Sequence, residues 1–166
     1  MISRVSYRAR QFRRTLAPGI TANDLHEARS ALGGDLYALF AAMQPADQRH
    51  CLDVYRRLRA EGEDDPDVLA AALIHDAGKG GESARHIRTW HRVAYVILDT
   101  LPPGVLDRLA RGNGGLAHLH RHGEATIRLV RGAGASERIT GLLVVMEAGR
   151  CDDPHAARLL AADEAC

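Results

Sequence analysis

Residues 65–81 read DPDVLAAALIHDAGKGG, and they decide how the rest of the chain is interpreted. Asp65 and Pro66 are a favourable N-cap and first position for a helix, and an apolar run follows them. Two ionisable residues, His75 and Asp76, stand at the end of that run. Burying an imidazole and a carboxylate is costly unless another group compensates them. The stretch therefore predicts a buried helix whose last polar residues need a partner.

The sequence on both sides of this stretch is also helical in pattern. Alanine, leucine and arginine are frequent, aromatic residues make up only 4%, and the apolar segment LLVVME sits inside a longer helix-like run. The 166 residues predict one all-α domain, a compact bundle of about eight to ten helices. Breaks rich in glycine and proline place these helices near residues 4–16, 22–31, 35–43, 46–61, 66–77, 84–99, 104–111, 115–131, 136–148 and 154–164.

The bulk composition excludes several classes of protein. The net charge is +1, which gives no indication of a polyanionic partner. No apolar run approaches the ~20 residues of a membrane-spanning helix, and no secretory leader pattern is present. The three cysteines are odd in number and show no CxxC spacing, as is typical of a reducing compartment. We therefore expect a cytoplasmic protein with no membrane association, and we leave open whether it forms a homo-oligomer.

The basic residues are unusual in two respects. Residues 1–16 carry five arginines and no acid, which indicates either a nucleic-acid-binding or membrane-binding arm or, as we favour, a solvated helix face. Nucleic acid is thus not an expected partner. Of the 22 basic residues only Lys79 is a lysine, and it lies in the segment of residues 65–81. Lysine offers a compact point charge where arginine offers a planar fork, so Lys79 is a candidate for a specific role.

His50 lies in the predicted helix over residues 46–61, which precedes the segment of residues 65–81. The link between that helix and the next is centred on residues 62–63, and His50 and His75 each lie about twelve residues from it. A short link makes neighbouring helices antiparallel, so residues equidistant from it lie at the same level. We therefore expect His50 and His75 to face each other. A divalent metal would compensate both imidazoles and Asp76 at once, whereas the alternative is a hydrogen-bonded pair of core histidines.

His50, the His75–Asp76 pair, Gly78 and Lys79 together read H…HDxGK. In a helical chain this pattern resembles the HD-domain superfamily of metal-dependent phosphohydrolases. The resemblance extends over residues 46–164 and leaves residues 1–45 as N-terminal helices outside the motif region. It implies an HD-type bundle that hydrolyses a nucleotide or another phosphate ester. The implied cofactor is a divalent transition metal (Mn, Fe, Ni, Co or Zn, with Mg as a further option).

The resemblance also implies a fourth ligand, a late aspartate in a helix reading Leu-x-x-Ala-Asp or similar. The segment ARLLAAD fits this pattern and ends at Asp163. Asp152 and Asp153 are rivals for the same role, although an aspartate pair before Pro154 is also typical of a helix N-cap. We expect His50, His75, Asp76 and Asp163 to form the metal site.

Many compact members of that superfamily hold a second metal. The segment HLHRH offers His118, His120 and His122. In a continuous helix His118 and His122 would share a face at i, i+4, whereas His120 would point elsewhere. The later histidine of the family pattern is missing, and Met146 and Glu147 stand at the matching place. We expect one metal, with His122, His118 and Glu147 as candidates for a second site.

Roles in catalysis follow from the same reasoning. Asp76 would accept a proton from water, and Lys79 would stabilise charge on phosphate. Arg85, Arg88 and His91 are candidates for contacts with a small phosphate ester. The segment GKGG lacks the spacing of a phosphate-binding P-loop, and Cys51 is interpreted as a small core residue.

Two alternatives to hydrolysis remain. One is a non-catalytic, metal-containing module that binds a partner or regulates it, which the missing later histidine favours. The other is a di-iron oxygenase, a chemistry found on some HD folds, which would need the incomplete second site.

Overall fold

The computed structural model describes residues 19–87, 89–98, 104–112, 114–149 and 152–166. These ranges contain helices and no strand, so the prediction of an all-α bundle is confirmed for them. The predicted helix over residues 4–16, with its arginines, lies outside the described residues. In chain order the helices are α1 (Ala22–Leu32), α2 (Gly34–Ala41), α3 (Pro45–Ala60), α4 (Pro66–Ile74), a 3-10 turn (Ala77–Lys79), α5 (Gly81–His86), α6 (Thr89–Leu98), α7 (Val105–Leu109), α8 (Gly115–His120), α9 (His122–Gly132), α10 (Glu137–Glu147) and α11 (Pro154–Ala165).

Helix α4 is the centre of the bundle. Every residue from Val68 to Ile74 is buried, because this apolar run is surrounded by α1, α2, α3, α10 and α11. Asp65 caps its first turn by accepting a hydrogen bond from the amide of Asp67 at 2.9 Å. The predicted buried helix and its cap are therefore confirmed. None of the described helices is long and apolar enough to span a membrane.

Three predicted helices end or break at other places. Helix α4 ends at Ile74 rather than at residue 77, and the chain continues through His75 and Asp76 into the 3-10 turn. The helix expected over residues 84–99 is divided into α5 and α6, and the one over 115–131 is divided into α8 and α9 at Arg121. Arg121 has a backbone conformation (φ −106°, ψ 13°) outside the α-helical range, which changes the direction of the chain there.

Buried carboxylates link helices that are distant in sequence. Asp24 of α1 is 4% exposed and binds Arg49 and Arg56 of α3, at 2.5 and 2.6 Å. Glu63, in the loop between α3 and α4, is also 4% exposed and accepts a hydrogen bond from Arg158 of α11 at 2.7 Å. These ion pairs join α1 to α3, and α11 to the loop between α3 and α4.

Candidate metal centre

His50 and His75 face each other across the antiparallel α3–α4 hairpin. Their Nε2 atoms are 3.3 Å apart, and their rings are edge to face at a centroid distance of 5.2 Å. The predicted juxtaposition is therefore confirmed. Both residues are shielded from solvent, since their side chains are only 16% and 4% exposed.

The carboxylates of Asp163 and Asp76 lie beside this pair of histidines. Asp163 Oδ1 lies 2.7 Å from His50 Nε2 and 3.5 Å from His75 Nε2. Asp76 Oδ1 lies 3.8 Å from His75 Nε2. The ligand atoms of His50, His75 and Asp76 all lie within 4.8 Å of one another. Asp163 comes from α11, so three separate helical segments contribute to the cluster.

The end of α4 fixes the orientation of the His75 ring. His75 Nδ1 is 2.9 Å from the carbonyl oxygen of Ala72, so the Nδ1 hydrogen is donated there and Nε2 faces the cluster. The buried Cys51 sulfur lies 3.7 Å from the same nitrogen. Burial raises the pKa of the Cys51 thiol, so it packs beside His75 as a neutral group. This agrees with its interpretation as a small core residue.

The charges of the cluster suit a cation. Burial by itself would raise the pKa of Asp76, but Lys79 and His75 hold it well below its ordinary value. Burial likewise opposes ionisation of Asp163, yet hydrogen bonds to His50 and His75 keep its pKa low. Both carboxylates are therefore ionised near neutral pH. Burial lowers the pKa of His75, but the charges of Asp76 and Asp163 outweigh it and raise that pKa, so the site attracts positive charge.

Lys79 and His122 flank Asp76. Lys79 Nζ is 2.7 Å from Asp76 Oδ2, and His122 Nε2 is 3.5 Å from Asp76 Oδ1. His122 donates its Nδ1 hydrogen to the carbonyl oxygen of Leu119 at 2.6 Å. Burial and the charge of Lys79 lower the pKa of His122 to about 4, so its Nε2 is an unprotonated nitrogen at neutral pH. Asp76 thus lies between the Lys79 cation and the neutral imidazole of His122.

Glu147 comes near this group from α10. Its carboxylate lies against the backbone of Gly123, where a Cβ atom would meet it at 1.8 Å. Burial of the carboxylate and the nearby Glu124 raise the pKa of Glu147, although the residue as a whole is exposed. The glycine therefore leaves room for a carboxylate at the N-terminal end of α9.

His118 is placed differently from the expectation. The break at Arg121 separates it from His122, so the two histidines do not share one helix face. The His118 ring stacks on His86 at a centroid distance of 4.8 Å, and its Nδ1 lies 3.2 Å from the Ser83 hydroxyl. His118 therefore packs against α5, and the i, i+4 argument for pairing it with His122 was wrong.

The remaining candidates have the following positions. Asp153 caps α11 by accepting hydrogen bonds from the amides of His155 and Ala156, at 2.8 and 2.9 Å, which is the structural role foreseen for it as an alternative. The His91 ring lies against Trp90 at a centroid distance of 3.7 Å, with the two ring planes tilted by 31°. Arg88 and the side chain of Arg85 lie outside the described part of the structure. Contact of these last three residues with phosphate stays a prediction.

Sequence reasoning missed Thr126 of α9. Its hydroxyl contacts the backbone at His75 and Gly78, so it touches the turn that carries Asp76. The available signal was its spacing of four residues from His122, which places both on one helix face. That signal becomes informative only when α9 is known to pack on the turn.

Comparison of the chain with protein-family models, with curated proteins and with solved structures gives no match in any of the three. The HD-domain resemblance therefore rests on the motif residues, and the geometry of the cluster is an independent observation.

Proposed function

We propose that this protein binds one divalent metal ion through His50, His75, Asp76 and Asp163 and hydrolyses a phosphate ester there. The observation that carries the proposal is the convergence of imidazole nitrogens and carboxylate oxygens from three segments of the chain. The Nε2 atoms of His50 and His75 face each other at 3.3 Å, and such a pair needs a cation or a proton between the two nitrogens. Imidazole and carboxylate ligands suit Mn, Fe, Co, Ni or Zn.

The donor set fits a divalent ion in chemistry as well as in position. Asp76 and Asp163 are ionised, and His75 presents Nε2 because Ala72 accepts its Nδ1 hydrogen. Two carboxylate charges balance a divalent cation. When bound, the ion would supply Lewis acidity, which acidifies water and polarises a phosphoryl oxygen.

The protein groups around Asp76 have separate roles. Lys79 holds Asp76 Oδ2 and leaves Oδ1 directed toward His75 and His122. Asp76 would accept the proton of the attacking water, because its carboxylate oxygen lies within the ligand cluster where that water would be held. The Lys79 ammonium would attract the phosphate anion to this side of the site.

His122 approaches Asp76 Oδ1 from α9, and the Glu147 carboxylate lies against the backbone of the neighbouring Gly123. The unprotonated His122 nitrogen would accept a hydrogen bond from water or from the substrate, which would orient it. A second metal would need Lys79 to release Asp76, because the ammonium already occupies Oδ2. We therefore propose a mononuclear centre.

The test is hydrolysis by the purified protein after loading with Mn²⁺. The substrates are p-nitrophenyl phosphate, bis(p-nitrophenyl) phosphate and the nucleoside monophosphates. We expect activity that EDTA abolishes and Mn²⁺ restores. Asp76→Asn should lower it at least about a hundredfold, because the amide neither ionises nor takes a proton. The exposed loop residue Asp64 provides a matched control, and Asp64→Asn should keep full activity.

Two results would contradict the proposal. Hydrolysis that persists in EDTA or in Asp76→Asn would arise elsewhere. Metal binding without hydrolysis of any of these esters would favour the alternative, a non-catalytic metal-containing module.

A further inference from the structure

The Thr126 hydroxyl joins α9 to the backbone on both sides of Asp76. It donates a hydrogen bond to the carbonyl oxygen of His75 at 3.0 Å and accepts one from the amide of Gly78 at 2.8 Å. Thr126 is 1% exposed, so no solvent replaces these bonds. One buried side chain therefore satisfies two backbone groups that are three residues apart.

These two groups are those that the end of α4 leaves unpaired. In a continuing helix the amide of Gly78 would bind the carbonyl of Ile74, and the amide of Lys79 would bind the carbonyl of His75. Instead the Lys79 amide binds the Asp76 carbonyl at 2.9 Å, which forms the 3-10 turn. Thr126 supplies the partners that the helix no longer provides, and buried backbone groups without partners are rare because they are costly.

The turn is also pressed closely against α9. A Cβ atom on Gly78 would lie 2.0 Å from the backbone oxygen of His122 and 2.7 Å from the backbone nitrogen of Thr126. This contact brings His122 Nε2 within 3.5 Å of Asp76 Oδ1. The position of the Asp76 backbone is therefore determined by α9 rather than by α4 alone.

We infer that Thr126 is a positioning residue that holds His75 and Asp76 in the orientation needed for metal binding, an inference that rests on the metal centre proposed above. The hydroxyl touches neither side chain. It fixes the His75 carbonyl and the Gly78 amide, and the Asp76 side chain projects from the backbone between them. Partners of this kind beyond the ligands themselves set metal affinity by fixing ligand geometry.

The experiment compares Thr126→Val with Thr126→Ser. Valine keeps the shape of threonine but removes both hydrogen bonds, whereas serine keeps both. We measure Co²⁺ affinity by titration, the visible Co²⁺ absorption spectrum and the thermal midpoint. Thr126→Val should bind Co²⁺ about tenfold to a hundredfold more weakly with an altered spectrum, and Thr126→Ser should restore both toward wild type.

A purely structural role would give another pattern. Thr126→Val would then lower the thermal midpoint while the folded protein kept the affinity and Co²⁺ spectrum of the wild type, which would overturn the inference. Thr140→Val is the matched control, since Thr140 is another buried threonine and lies on α10; it should keep wild-type Co²⁺ binding.

Two further outcomes are separable. If Thr126→Val does not fold, Thr126→Ala gives the same test, because alanine also removes both hydrogen bonds; wild-type affinity in that variant would contradict the inference. If the wild type itself binds no Co²⁺, the proposed metal centre fails, which is a different result from a wild type and Thr126→Val that bind equally well.

Discussion

At the scale of single residues, His75 and Asp76 are buried because each of their polar atoms has a partner. His75 uses Nδ1 for the Ala72 carbonyl and directs Nε2 to His50 and Asp163. Asp76 uses Oδ2 for Lys79 and directs Oδ1 to His75 and His122. The remaining deficit is positive charge between the facing nitrogens and oxygens. That deficit is the residue-scale argument for the divalent ion in the metal centre proposed above.

Asp24 gives a residue-scale prediction that is independent of the metal. Burial would raise its pKa, but the Thr21 amide, Arg49 and Arg56 hold it far below its ordinary value. A carboxylate with a lowered folded-state pKa adds stability above its unfolded pKa, near 4, and that stability is lost as the pH falls further. Asp24→Asn should therefore lower the free energy of unfolding by on the order of 2 kcal/mol at pH 7 and by less at pH 2.5.

Urea unfolding at the two pH values measures this difference. The control is Asp64→Asn, which changes an exposed carboxylate and should cost less than about 0.5 kcal/mol at pH 7. Asp24→Asn could instead lower the free energy of unfolding equally at pH 7 and pH 2.5. That result would show that the ion pairs of Asp24 with Arg49 and Arg56 do not stabilise the fold.

At the scale of elements, the turn after α4 brings the site together. The sequence predicted the start of α4 from Asp65 and Pro66, because capping is local. It did not predict the end at Ile74 or the break at Arg121, because both depend on contacts between α9 and the turn. The wrong pairing of His118 with His122 has the same origin. The local sequence pattern does not reveal where a tertiary contact ends or breaks a helix.

Gly78 tests the importance of that contact. Gly78→Ala would place Cβ against backbone atoms of His122 and Thr126, so the turn and α9 would have to separate. We expect a loss of about 2 kcal/mol in the free energy of unfolding, measured with urea.

The matched substitution is Gly141→Ala in α10, where a Cβ atom would meet nothing within 4 Å. It should be neutral or stabilise the protein by about 0.5–1 kcal/mol through helix propensity. Equal effects of the two substitutions would show that α9 does not press on the turn.

At the scale of the whole molecule, the site joins distant parts of the chain. His50 and Asp163 are 113 residues apart in sequence and 2.7 Å apart in space. Glu63 supports this arrangement by binding Arg158 of α11 to the α3–α4 loop. The sequence predicted Asp163 only through its motif, since nothing local indicates where α11 docks. It predicted the His50–His75 pair from geometry, because a short link between antiparallel helices fixes which residues lie opposite each other.

The most direct test of the proposed metal centre is Mn²⁺ affinity, measured by calorimetry for the wild type, Asp163→Ala and Asp153→Ala. Circular dichroism verifies that each variant is folded. We predict about one Mn²⁺ per wild-type chain and binding at least about tenfold weaker in Asp163→Ala. Asp153→Ala should bind as the wild type does, because Asp153 caps α11. Wild-type affinity in Asp163→Ala, or a loss confined to Asp153→Ala, would contradict the proposed metal centre.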